Sequence, residues 1–185
     1  MVKIGIIIGS TRDGRVSTQV ADWVMSFTEG RTDAEFELVD IKDYAFQEFN
    51  NFPPGMLNRK YDAKNVTEWS EKIDELDGFI FVTPEYNKSI TPSLKNAIDH
   101  LGPEWGNKAA GSVAYGSTLG VAATLSLRQV LSNLGIAIVP ATGALSLFTD
   151  FEDMSEFKPG DHHNESIEAT IDGVVAWSTA MKTLR

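Results

Sequence analysis

The chain contains no cysteine among its 185 residues. That excludes disulfides, thiolate chemistry, and zinc or iron–sulfur sites held by cysteine. Long apolar runs are missing too. The opening MVKIGIII is too short for a membrane span and carries one lysine, so neither a signal peptide nor an anchor is expected, and the expected address is the cytoplasm. Basic charge is scarce: 16 Lys and Arg stand against 26 Asp and Glu, a net charge of −10. Long-range electrostatics therefore oppose a nucleic-acid partner or an anionic membrane. Several motifs are absent as well. There is no G-x-x-x-x-G-K-[ST], no G-x-G-x-x-G, no G-x-S-x-G elbow and no EF-hand order of acidic ligands. His100, His162 and His163 fit no metal-ligand spacing, and no metal is expected.

What is present reads as one domain spanning 1–185, with 42% hydrophobic and 23% charged residues. Lys3 to Ile8 is dense in isoleucine without alternation, which predicts a strand buried on both faces. Val20, Trp23, Val24 and Phe27 then fall at i, i+3, i+4 and i+7, one apolar face of a helix that Gly30 is placed to stop. A second strand is expected at Phe36 to Ile41. Residues 42–64 form a long connection rich in Phe, Asn and Pro.

Asn65 with Glu68 resembles a capping box before the stripe Val66, Trp69, Ile73, Leu76. Phe79 to Thr83 predicts a third strand, and Thr91-Pro92 a capped helix start. Ala109 to Tyr115 is a fourth strand, and Leu125 to Leu134 a helix ending at Gly135. Ile136 to Val139 and Gly143 to Leu147 are expected to supply one split or extended fifth strand. The last helix carries Ile167, Ile171, Val174, Val175 and Trp177. Strand and helix alternate throughout, which predicts a doubly wound parallel sheet between two helical layers. Ligands in such sheets bind beyond the carboxyl ends of the strands.

Three loops lie at those ends. GSTRDGR, residues 9–15, joins a strand to a helix N-terminus, where unpaired N–H groups and the helix dipole favour an anion. Ser10, Thr11, Ser17 and Thr18 offer hydroxyls, and Arg12 and Arg15 offer charge. A phosphate and an ordinary solvated turn both fit. TPEYN, residues 83–87, offers the face of Tyr86 and main-chain groups, or simply a turn begun by Pro84. YGSTLG, residues 115–120, has glycines that permit close backbone approach, and it also fits a plain strand–helix connection.

Together the segments GSTRDGRVSTQVADWV, TPEYNKSITPSLKNAIDHL and AYGSTLGVAATLSLRQVLSNLGIAIVP resemble the NADPH-dependent FMN reductase family over about residues 2 to 140. That family has the flavodoxin-like fold and also contains azo, quinone and chromate reductases. The resemblance implies a five-stranded parallel sheet in order 2-1-3-4-5. It implies bound FMN, with Ser10, Arg12, Ser17 and Thr18 on its phosphate. Pro84, Glu85, Tyr86 and Asn87 would line the ring and ribityl chain, with Tyr115, Gly116, Ser117 and Gly120 on the other side. NADPH is the implied hydride donor, with Arg15 as the residue to meet its 2′-phosphate. A small electron acceptor completes the reaction, and the peptide between Gly116 and Ser117 is a candidate to stabilise the reduced ring.

The flavin would perform the redox step, so no protein nucleophile or general acid is implied. A homodimer, or a dimer of dimers, is expected from Tyr44, Phe46, Phe49, Phe52 and Met56 in the long connection and from Lys95 and Asp99 on the helix after PEYN. The competing readings are a flavodoxin-type electron carrier and an interaction domain that has lost its flavin.

Overall fold

The computed structural model describes residues 1–185. Five parallel strands, β1 (Val2–Ile8), β2 (Ala34–Asp40), β3 (Gly78–Pro84), β4 (Ala109–Gly116) and β5 (Ala137–Ile138), follow the order β2-β1-β3-β4-β5. β6 (Gly143–Ser146) also pairs with β4: Ala109 and Ala110 face Ala137 and Ile138, whereas Val113 to Gly116 face Gly143 to Ser146. β5 and β6 are thus two halves of one edge strand, interrupted at residues 139–142 where Pro140 cannot donate to a ladder.

The helices are α1 (Ser17–Ser26), α2 (Lys64–Glu75), α3 (Pro92–Asp99), α4 (Val121–Asn133) and α5 (Asn164–Met181). Strand alternation sorts the core into two layers. Ile4, Ile6, Ile8, Ile80 and Val82 pack with α1 and α5, while Ile7, Phe79 and Phe81 pack with α2, α3 and α4. Trp69 and Trp105 are fully buried in the second layer, and each indole finds a carbonyl: Ala97 at 2.8 Å and Ile98 at 3.2 Å. No helix is long and apolar enough to cross a membrane.

Beyond β6 the chain forms a small hairpin, β7 (Phe151–Glu152) with β8 (Glu156–Phe157). Phe157 packs edge-on to Trp23 of α1, and Gln19 bonds Ser155 O and Phe157 N. Asp150 anchors the hairpin's base, accepting from Ser146 N–H at 2.7 Å and lying 2.9 Å from His163 Nε2.

One local expectation needs correction. Asn65 does not cap α2, whose N-cap is Ala63 without a side-chain bond. The Asn65 carboxamide instead donates to Tyr44 O at 2.7 Å, which ties the long connection down. Trp177 lies off the buried face of α5 and is 41% exposed. The Thr91 cap forms as expected: its hydroxyl accepts from Leu94 N–H at 3.0 Å.

Candidate functional site

The three loops converge at the carboxyl end of the sheet. In the first, Gly9 N–H still bonds Val82 O at 2.8 Å, and Thr91 Oγ1 donates to Gly9 O at 2.5 Å. Beyond Gly9 the sheet ladder ends. Only Arg15 among residues 10–19 has its N–H bonded within the chain, to Arg12 O at 3.3 Å. The N–H groups at positions 10–14 and 16–19 form a row of unspent donors around the start of α1. Ser10 and Ser17 are buried, and Ser17 Oγ has no hydrogen-bond partner. An orphaned buried hydroxyl costs about 1–3 kcal/mol. Here it opens a helix at its positive end, the chemistry a phosphate satisfies. Thr18 is half-buried beside it.

The two arginines differ. Arg12 is exposed and makes no ion pair. Arg15 forks onto the carboxylate of Asp40 at the end of β2, with Nη1 to Oδ1 at 2.8 Å and Nη2 to Oδ2, and Nη1 also donates to Ser10 O. Its guanidinium is a strut of the loop and is spent within the chain. Asp40 was not identifiable from its own neighbourhood in the sequence; the adjacency of β1 and β2 brings it there.

The second loop leaves β3 with Glu85 N–H bonded to Tyr115 O at 2.7 Å. Tyr86 and Ser89 then exchange reciprocal bonds of 2.9 and 3.0 Å around Asn87 (φ 48°) and Lys88 (φ 67°), a tight turn with both central residues left-handed. The N–H groups of Asn87 and Lys88 remain unbonded, Tyr86 is half-buried, and Pro84 is buried at the strand end.

In the third loop Gly116 O accepts from Leu119 and Leu147, and the N–H groups of Ser117 and Thr118 are unspent. Gly120 sits at φ 65°, where a Cβ would come 2.6 Å from Ala114 Cβ and 2.7 Å from Tyr115 N, so only glycine fits. Tyr115 turns its side chain inward, packed against Phe151 at 5.5 Å between ring centroids. Burial raises its phenol pKa. Its phenol nevertheless lies beside Ser17 of the first loop, without completing a hydrogen bond to that hydroxyl.

The Glu85 carboxylate joins the second and third loops. It accepts from Thr118 Oγ1 at 2.9 Å and from Ala122 and Ala123 N–H at 2.9 and 3.3 Å. Its burial opposes ionisation, but these donors and Lys88 outweigh it and hold its pKa below the usual carboxylate value.

The long connection lies beside this site. Asn96 of α3 holds it through Phe49 N–H at 2.8 Å and Gln47 O at 2.9 Å, and Phe46 stacks on His100 at 5.1 Å. Tyr44 and Phe46 fold back onto Trp69, while Phe52 and Met56 stay 70% and 71% exposed. Lys95 pairs with Asp99 on its own helix at 2.5 Å. A groove of about 320 Å³ starts at Thr11 and runs past Lys42, Phe46, Ser93 and Asn96.

An α/β/α sandwich with this strand order, and with its open donors at the first strand–helix loop, is a flavodoxin-like protein. The chain belongs to the NADPH-dependent FMN reductase family, whose pattern it matches over residues 2–150. It is 35% identical over 150 residues to an NAD(P)H-dependent FMN reductase of Schizosaccharomyces pombe, covering 80% of this chain and 74% of that one. It is 31% identical over 165 residues to the NAD(P)H-dependent FMN reductase LOT6 of Saccharomyces cerevisiae, covering 80% and 86%. Among solved structures it resembles the flavoenzyme NAD(P)H:(acceptor) oxidoreductase FerB of Paracoccus denitrificans, with a TM-score of 0.75, 20% identity, and 98% and 99% of the two chains covered.

Proposed function

We propose that residues 1–185 form one FMN-binding domain that works in the cytoplasm as an NADPH-dependent reductase of a small acceptor. Quinones, azo compounds, chromate, ferric chelates and free flavin make up the acceptor class. The observation that carries this reading is the partnerless buried hydroxyl of Ser17 within the row of unspent N–H groups at the start of α1. FMN, when bound, supplies two-electron chemistry, taking a hydride from NADPH and passing it to the acceptor in two half-reactions.

The chain's own part is to bind and orient. Ser10, Ser17 and Thr18 donate to the phosphate, and Arg12 balances its charge. Arg15 keeps the loop open through Asp40 and Lys42 pairs with Asp13 at 2.8 Å, which leaves Arg12 as the cation of the loop without an ion pair. Tyr86 offers an aromatic face, and Asn87, Ser117 and Thr118 offer main-chain donors for polar ring atoms. No side chain is assigned as a proton donor. Exposed Phe52 and Met56 support a two-fold dimer in which one subunit's long connection meets its partner.

The visible spectrum of the purified protein, before and after anaerobic NADPH, tests the reading. A flavin band that bleaches with NADPH and returns with a quinone is the expected result. A colourless protein that cannot be reconstituted with FMN refutes it.

A further inference from the structure

α4 has no cap of its own. Gly120 stands at its N-cap with φ 65° and no side chain. The cap comes instead from a different loop, as Glu85 Oε2 accepts the N–H groups of Ala122 and Ala123. Oε1 takes Thr118 Oγ1 at 2.9 Å, and Lys88 Nζ lies 3.3 Å away while donating to Thr118 at 2.7 Å. The Glu85 side chain is only 5% exposed. Gly116 makes room for it, since a Cβ there would meet Glu85 Cβ at 2.9 Å.

Two helices therefore bring their N-termini to the same end of the sheet with opposite electrostatic character. At α1 the N–H groups are unspent and no carboxylate is bound to them, so the positive end is available to an anion. At α4 a buried carboxylate occupies the N–H groups and cancels the dipole's positive end. Reduced FMN carries a ring anion at neutral pH that oxidised FMN lacks. A bare α4 terminus beside the ring-binding loops would favour that anion, and a capped one withholds the favour.

We propose that Glu85 is a positioning residue that sets the relative affinity of this site for oxidised and reduced FMN, by capping α4 across the loops and cancelling its positive end. This rests on the FMN reading above. It assigns the carboxylate a role distinct from lining the ring through its main chain. The same contacts make the second and third loops one rigid unit before any ligand arrives.

Glu85→Gln keeps an acceptor for α4 but removes the charge. Its bound FMN is expected to be reduced more easily, by about tenfold in the ratio of affinities for the reduced and oxidised forms, or about 30 mV for a two-electron couple. Lys88→Met, at an exposed site, removes the countercharge and is expected to give a smaller shift the other way. In the FMN-free protein, Glu85→Ala is expected to speed amide exchange at Ala122 and Ala123. Redox titration of bound FMN and exchange in the FMN-free protein are the two readouts.

Equal loss of affinity for both redox forms in Glu85→Gln, with an unchanged potential, would mean a structural cap only and would overturn the proposal. If Glu85→Gln does not fold, an unchanged or raised potential in Lys88→Met overturns it. A wild type that binds no FMN at all overturns the FMN reading and this role with it, a result separate from the first two.

Discussion

Arg15 and Asp40 form a forked ion pair between the first loop and the end of the neighbouring strand β2. Both side chains are more than four-fifths buried, at 13% and 18% exposure, and the same guanidinium holds Ser10 O. A two-pronged, largely desolvated pair of this kind fixes geometry more firmly than a surface contact. Arg15→Ala is therefore expected to loosen the phosphate loop and weaken FMN binding by about 1–2 kcal/mol. The ratio of kcat/KM for NADPH over NADH should stay near that of the wild type. Fluorescence titration with FMN and steady-state kinetics with both nucleotides check this, and a collapse of NADPH preference with intact FMN affinity would restore Arg15 to the nucleotide. Arg12→Ala, at the exposed arginine without an ion pair, should weaken FMN about tenfold with a loss that shrinks as salt rises.

Ser17 makes a sharper case because its two effects have opposite signs. In the FMN-free protein its hydroxyl is buried and unpaired. Ser17→Ala removes that cost, so the free protein should be as stable as the wild type or up to about 1 kcal/mol more so. The holoprotein should lose about 1 kcal/mol of FMN affinity, since a hydrogen bond to the phosphate is gone. Thermal unfolding with and without FMN separates the two. A variant destabilised without FMN would show that the hydroxyl already has a structural partner.

The order of elements was legible in the sequence because each depends on neighbours a few residues away. The isoleucine run of β1, the Thr91-Pro92 start of α3 and the two segments of the edge strand were readable in this way, whereas the break between those segments at Pro140 was not. The loops were readable as places at the strand ends, and in the first of them Ser10 and Ser17 are buried while Arg12 is exposed. What could not be read was which partner each polar side chain would choose. Asn65 fits a capping box by spacing, but Tyr44 O lies within reach only once the connection has folded over α2. Arg15 looked free because Asp40 is 25 residues away and becomes adjacent only through β-strand pairing. The Glu85 carboxylate turns to a helix that starts 36 residues later. Side-chain destinations across strands are set by topology, which local spacing does not encode.

The exposed apolar tip of the long connection carries the expectation of a dimer. Phe52 and Met56 are 70% and 71% exposed, while Tyr44 and Phe46 of the same segment are packed on Trp69. Burying the tip in a two-fold contact would contribute at least about 3 kcal/mol for the two side chains. The double variant Phe52→Ser, Met56→Ser should dissociate into monomers at concentrations where the wild type remains a dimer, with little change in thermal stability. Light scattering after size exclusion reads this directly. A wild type that is already monomeric and retains full FMN content and NADPH turnover at nanomolar concentration removes the case for a shared site.

Lys108 gives a pH dependence at the opposite end of the sheet. It is 1% exposed, its Nζ donates to Ile73 O at 2.5 Å and Asp74 O at 3.0 Å, and it lies 5.6 Å from the Phe79 ring. The carbonyls end α2, where the negative pole of the helix welcomes a cation. Burial nevertheless dominates and pulls the ammonium pKa from 10.5 down to about 8. Below about pH 8 the lysine is protonated in both the folded and unfolded chain, so it adds no slope. Between about pH 8 and 10.5 the unfolded chain keeps a proton that the folded chain has released, and stability from this group rises with pH. Above 10.5 the slope vanishes again. The full rise is about 3 kcal/mol at most, from the size of the shift. Lys108→Met retains the apolar stem and cannot titrate. Urea unfolding of both proteins at pH 7 and pH 10 should show the wild type gaining on the variant as pH rises. A constant difference across that range would mean that the two carbonyls hold the ammonium charged in spite of its burial.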